Sequence, residues 1–75
     1  MTSREFTILE LLDQWGPMTP GELAASWPTP AFAATTHQDM TANLNRLAAV
    51  PREFVFRDTG GIWHLRRRAR WFLTV

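Results

Sequence analysis

The chain has 75 residues and a net charge of +1, with no cysteine and nine aromatic residues, four of them tryptophan. A domain this small buries only about 60% of its unfolded surface, and the absence of cysteine excludes disulfides and thiolate metal sites. No apolar run approaches the roughly 20 residues of a membrane span. We therefore expect one cytoplasmic domain over residues 1–75 that does not span a membrane.

The charge is distributed unevenly along the chain. Residues 1–50 carry two arginines against five carboxylates, whereas residues 51–75 carry six arginines against two. A basic patch of this kind is typical of a surface that binds a polyanion. All eight basic residues are arginine, which binds phosphate and guanine in a bidentate manner. Codon bias in a GC-rich genome is the alternative explanation for the use of arginine instead of lysine.

The first predicted helix begins at Thr2, which forms a capping-box pattern with Glu5. Gly16-Pro17 ends it, because glycine accepts the terminal turn and proline cannot continue a helix. A wide apolar stripe lies between these signals, and we expect it to be buried. Its members are Phe6, Ile8, Leu9, Leu11, Leu12 and Trp15.

A second capping box, Thr19-Pro20-Gly21-Glu22, starts a helix of about two turns. This helix must stop by Trp27, because prolines follow immediately. In the connection to the next helix, we expect Phe32 to pack on the core. Residues 31–34 either remain in that connection or form an early turn of the third helix.

The third predicted helix spans residues 35–49, with Thr35 or Thr36 as its cap. One face is apolar and consists of Met40, Leu44, Leu47 and Ala48. The opposite face carries Gln38, Ala42, Asn45, Arg46 and Ala49, and Thr41 lies at its border. Amides can pair with an adenine edge, arginine can pair with guanine, and an alanine methyl can contact the thymine methyl. This face suits a DNA major groove, although any solvated helix face can carry such residues.

Residues 52–57 and 62–65 alternate with a period of two and flank the turn Asp58-Thr59-Gly60-Gly61, which predicts a β-hairpin. The hairpin must pack one face on the helices to be stable. Three helices followed by a hairpin predict an α+β domain.

The tail, residues 66–75, can extend the strand, form a last helical turn or stay mobile until bound. Its apolar residues either fold back on the core or meet a second copy of the chain. Basic residues beside tryptophan and phenylalanine also suit a membrane interface, which ranks third because the segment is short and has no clear amphipathic period.

The residue types that support catalysis or metal binding are sparse. Two histidines without cysteine do not predict a metal site. His37 lies at the edge of the apolar stripe, and His64 is expected on the outer face of the hairpin. No nucleophile with a base and an orienting group can be picked out, and Gly60-Gly61 lacks the Gly-Lys-Ser/Thr of a phosphate loop. We therefore predict a non-enzymatic protein without a cofactor.

Three segments resemble the winged helix-turn-helix domains of MarR-like and related bacterial regulators. Met18-Thr19-Pro20-Gly21-Glu22-Leu23-Ala24 resembles the opening of their second helix, and Asn43-Leu44-Asn45-Arg46-Leu47 resembles the end of their recognition helix. The predicted hairpin resembles their wing. The resemblance covers residues 4–66 and implies a winged helix, a three-helix bundle followed by a β-hairpin wing. The chain departs from this pattern at Ala49-Val50-Pro51 and in its longer 27–34 connection.

The resemblance implies binding to double-stranded DNA, with base contacts from the third helix and phosphate contacts from the wing and the tail. The implied DNA-binding residues are Thr36, His37, Gln38, Thr41, Ala42, Asn45, Arg46, Arg57, Thr59, Gly60, Gly61, Arg66, Arg67, Arg68 and Arg70. It also implies transcription regulation or an architectural role in recombination, as in small phage proteins. A homodimer is a further expectation, because two-fold DNA sites match two-fold proteins.

The alternative prediction is a winged-helix module that binds another protein, for example a small phage protein that inhibits a host protein. The aromatic surplus and the apolar C-terminus favour it. The low net charge favours it as well, because many DNA-binding domains of this size are more basic.

Overall fold

The computed structural model describes residues 3–27 and 37–73, without the side chains of His37 and Phe72. The elements in chain order are α1 Ser3–Trp15, α2 Pro20–Ala25, α3 His37–Ala48, β1 Val55–Arg57, β2 Trp63–Leu65 and α4 Arg67–Leu73. Helices followed by a two-stranded antiparallel hairpin confirm the predicted α+β class. The predicted caps at Thr2, Thr35 and Thr36, the packing of Phe32 and the turn at 31–34 lie outside the described residues.

Helix α1 contributes Ile8, Leu9, Leu11 and Leu12 to the core, and Glu5 is buried on the same helix. The predicted end is confirmed, since Gly16 has a φ of +86° and its N–H donates to the carbonyl of Leu12 at 3.0 Å. The expectation that Phe6 and Trp15 are core residues is wrong, because both are exposed. Trp15 is the last residue of the helix, and the chain turns away at Gly16, so the buried face is narrower than the apolar stripe.

Helix α2 begins with the predicted capping box. The N–H of Glu22 donates to Thr19 Oγ1 at 3.1 Å, and the N–H of Thr19 donates to Glu22 Oε1 at 2.9 Å. Pro20 occupies the first turn, where its missing N–H has no cost. The helix ends at Ala25, before Trp27, as the following prolines predict.

Helix α3 packs against α1, α2 and β1. Its predicted inner face is confirmed, because Met40, Leu44 and Leu47 are fully buried and Ala48 is half-buried. After the helix, the N–H of Phe54 donates to the carbonyl of Leu47 at 2.9 Å. This backbone bond holds the start of the predicted 52–57 strand against the helix end, so the strand begins only at Val55.

The hairpin pairs Val55 with Leu65, Phe56 with His64 and Arg57 with Trp63. The second strand begins at Trp63, one residue later than predicted. Trp63 also exchanges two backbone hydrogen bonds with Met18, of 3.1 and 2.8 Å. This bridge ties the hairpin to the connection between α1 and α2, a contact that the sequence patterns did not predict. Val55 and Trp63 are buried, which confirms that one hairpin face packs on the helices.

The tail forms helix α4, one of the conformations left open by its sequence. It packs against α1 with Ala69 fully buried and Leu73 against the core. The exposed fraction of Trp71 is 75%, so the fold-back of the apolar tail residues is only partial. None of the helices in the described part of the chain is long and apolar enough to cross a membrane.

Candidate nucleic-acid interface

The outer face of α3 is a neutral strip of amide, hydroxyl and methyl groups. Gln38, Ala42 and Asn45 are exposed and Thr41 is half-buried. Together these four side chains line an open depression of about 510 Å³. Their orientation follows from the burial of Met40, Leu44 and Leu47 on the opposite side of the helix. The structure therefore brings four of the predicted base-contacting residues onto one surface.

A second edge of α3 carries the charged residues of this helix, and it is organised by Asn43. The exposed fraction of Asn43 is 6%. Its Nδ2 donates to the carbonyl of Asp39 at 2.9 Å, and its Oδ1 accepts a hydrogen bond of 2.5 Å from Arg46 Nη2. The Arg46 side chain is thus held along the helix. No role was predicted for Asn43, although the i, i+3 spacing to Arg46 could have indicated it.

The hairpin turn is held by a residue to which the sequence assigned no site role, Asp58. Its Oδ1 accepts from the N–H groups of Gly60 and Ile62 at 2.8 and 3.0 Å. The N–H of Gly61 donates to the Asp58 carbonyl at 3.2 Å. The N–H groups of Gly60 and Gly61 are therefore engaged within the turn and do not point to a phosphate. These two glycines would assist DNA binding only because, without a side chain, they let the phosphate backbone come close. Thr59 at the tip is exposed.

Aromatic and charged side chains stack on the outer face of the hairpin. The rings of Phe56 and His64 lie 4.9 Å apart at 8° to each other, and the Cζ of Arg66 lies 4.8 Å from the Phe56 ring centre. His64 Nε2 lies 2.9 Å from Asp58 Oδ2. This contact, followed by the N–H groups of Ile62 and Gly60, lowers the pKa of Asp58 below its ordinary value. The network joins the turn to Arg66.

The remaining arginines lie on different elements of the fold. Arg57 is exposed on β1, and Arg67 and Arg68 are exposed on α4. Arg70 Nε lies 3.6 Å from Asp13 Oδ1 on α1. Since α4 packs against α1, the structure places Arg70 beside a carboxylate of that helix and not on the outer face of α3. Arg52, which has no predicted role, pairs with Glu5 at 2.6 Å.

A separate surface lies where α4 meets α1. Phe6, Glu10, Asp13, Gln14 and Leu73 line a groove of about 210 Å³. The exposed fractions of Trp15 on α1 and Trp71 on α4 are 65% and 75%. Sequence patterns predicted Phe6 and Trp15 as core, because a helical stripe does not reveal which of its members the neighbouring elements cover.

Two of the predicted DNA-binding residues lack a described side chain. Thr36 lies outside the described residues, and only the backbone of His37 is described, at the start of α3. Among the described residues, no group of three or more histidine or acidic side chains is arranged to hold a metal ion. No protein-family model, curated protein or solved structure matches the chain.

Proposed function

We propose that this chain is a small non-enzymatic DNA-binding protein of the winged-helix type. In this proposal α3 enters the major groove of double-stranded DNA, the hairpin acts as the wing, and exposed arginines contact phosphates. A role in transcription regulation or as an architectural factor in recombination follows from such binding.

The outer face of α3 carries the proposal. Gln38, Thr41, Ala42 and Asn45 line one depression and bear no charge. A helix about 10–12 Å in diameter fits a major groove about 12 Å wide. Groups that pair with base edges are useful only where the helix face has few carboxylates, because phosphates repel negative charge. Asp39, the acidic residue of α3, does not line the depression and shares a side of the helix with Asn43 and Arg46.

The hairpin supports the proposal through exposed Arg57 and Arg66 at the two ends of the paired strands. The carboxylate of Asp58 accepts hydrogen bonds from the N–H groups of Gly60 and Ile62 and lies 2.9 Å from His64 Nε2. The turn therefore presents Thr59 and Arg57, with the Asp58 carboxylate hydrogen-bonded within the hairpin. Arginine in such a position can contact phosphates or enter a minor groove.

The direct test is binding of the chain to random-sequence duplex DNA, measured by fluorescence anisotropy at several salt concentrations. We expect affinity to fall steeply as salt rises, with a log-log slope of about 0.9 per phosphate contacted. Absence of binding at low salt would overturn the proposal. A slope near zero would also contradict it, since phosphate contacts release counterions.

A second candidate function is a protein-interaction module, and the surface between α1 and α4 favours it. The groove between these helices is lined by Phe6, Glu10 and Asp13, and tryptophan side chains are exposed on both helices, Trp15 on α1 and Trp71 on α4. Tryptophan is enriched at the centres of protein interfaces. A complex with a protein partner that is insensitive to salt, survives replacement of Arg66–Arg68 and is lost in Trp71→Ser would support this function over DNA binding.

A further inference from the structure

We propose that the outer face of α3 selects A·T base pairs and seats a thymine methyl group beside Ala42. The inference rests on the proposed DNA binding and adds the chemistry of the preferred site. It depends on how the structure divides the polar residues of α3 between two edges of the helix.

The charged residues of α3 lie on one edge. Asp39, Asn43 and Arg46 recur at i, i+4 and i+7, so they share a side of the helix. Asn43 bonds to both neighbours, through the carbonyl of Asp39 and through the Arg46 guanidinium. Arg46 is the described α3 side chain that could pair with guanine, and Asp39 is the one that could accept from the cytosine amino group. Both are placed away from the depression.

The neutral residues lie on the adjacent edge and line the depression themselves. Gln38, Ala42 and Asn45 recur at i, i+4 and i+7, with Thr41 beside them. Glutamine and asparagine can each pair with the N6 and N7 atoms of adenine, and an alanine or threonine methyl contacts the C5 methyl of thymine. The order amide, methyl, amide therefore matches the major-groove edges of A·T pairs.

The dimensions limit the size of the site. Gln38 and Asn45 are separated by about 10 Å along the helix axis, at about 1.5 Å per residue. At about 3.4 Å per base pair, this distance spans about three base pairs. One copy of α3 is thus expected to select a core of about three A·T pairs, with the methyl contact near its centre.

The experiment begins with selection of bound sequences from a pool of randomised duplexes, followed by anisotropy titrations of the selected duplex. Each thymine of the core is then replaced by deoxyuridine, which removes the methyl group and keeps the hydrogen bonds. Loss of one buried methyl contact is expected to weaken binding about fourfold. Replacement of a paired adenine by guanine is expected to weaken it about 5- to 150-fold.

Matched variants connect these effects to residues. In Ala42→Gly the deoxyuridine penalty should disappear, whereas in Ala49→Gly, an exposed alanine outside the depression, it should remain. Arg46→Gln should lower affinity for every duplex without changing the selected core. Circular dichroism verifies that each variant is folded. If Ala42→Gly does not fold, the deoxyuridine measurement on the unaltered chain decides whether a thymine methyl is contacted.

The outcomes separate this inference from the proposed function. Salt-dependent binding without base preference would leave DNA binding intact and overturn the A·T selection. A core of G·C pairs that requires Arg46 would overturn it as well, as would equal affinity for thymine and deoxyuridine sites. Absence of any DNA binding at low salt would overturn the proposed function first.

Discussion

The guanidinium of Arg52 lies 2.6 Å from the carboxylate of Glu5, whose side chain is only 3% exposed. The contact joins the first turns of α1 to the connection between α3 and β1, 47 residues apart in the chain. The backbone carbonyl of Arg52 also accepts a bond of 3.4 Å from Arg68. Three parts of the fold therefore meet at Arg52, namely α1, the connection between α3 and β1, and α4.

Arg52→Met should destabilise the fold, because it removes a partner of a buried carboxylate. Breaking a fully buried pair costs about 3–5 kcal/mol, and partial exposure of Arg52 reduces the expected loss to about 1–3 kcal/mol. For a domain of this size, that loss lowers the unfolding midpoint by several degrees. In a Glu5→Gln background the same substitution should cost less. Equal costs in the two backgrounds, measured by thermal unfolding, would contradict the assigned coupling.

Gly61→Ala should destabilise the hairpin, while Gly60→Ala serves as a matched control. Gly61 has a φ of +81°, which a residue with a Cβ adopts at a cost of about 1–2 kcal/mol. At Gly60 a Cβ would meet Asp58 Oδ1 at 3.4 Å, an ordinary contact. We expect Gly60→Ala to change the free energy of unfolding by less than about 0.5 kcal/mol. Urea denaturation that ranks the two variants in the reverse order would refute this assignment.

The stability contributed by Asp58 should depend on pH. The hydrogen bond from His64 and those from the Ile62 and Gly60 N–H groups hold the folded pKa of Asp58 below its ordinary value. A depressed folded pKa adds stability above the unfolded pKa of about 3.9, and this is lost as pH falls through the folded value. The difference in unfolding midpoint between the unaltered chain and Asp58→Asn should therefore shrink from pH 6 toward pH 2. A difference independent of pH would count against an ionised Asp58 in this network.

Arg57→Gln and Arg70→Gln remove the same charge from two different surfaces. Arg57 is exposed on the hairpin, whereas Arg70 lies 3.6 Å from Asp13 on α1. If the hairpin is the wing, Arg57→Gln should reduce the log-log salt slope of DNA binding by about 0.9. Arg70→Gln should change it little. Equal effects in anisotropy titrations would mean that net charge, and not position, determines binding.

Local chemistry determined the helices and the turn of this protein. The capping box of Thr19 and Glu22, the stop at Gly16 and the positive φ of Gly61 each depend on neighbours a few residues away, so the sequence predicts them directly. The buried face of α3 is equally local, because the period of 3.6 residues places Met40, Leu44 and Leu47 on one side.

Only the tertiary structure decided which side chains meet across long sequence separations. No pattern within α1 indicates that Glu5 pairs with Arg52, or that Trp15 remains exposed while Leu12 is buried. The bridge between Met18 and Trp63 and the packing of α4 on α1 likewise join segments that are far apart in the sequence. These contacts depend on how whole elements cover each other, because burial is a property of the assembled core and not of the spacing within one helix or strand.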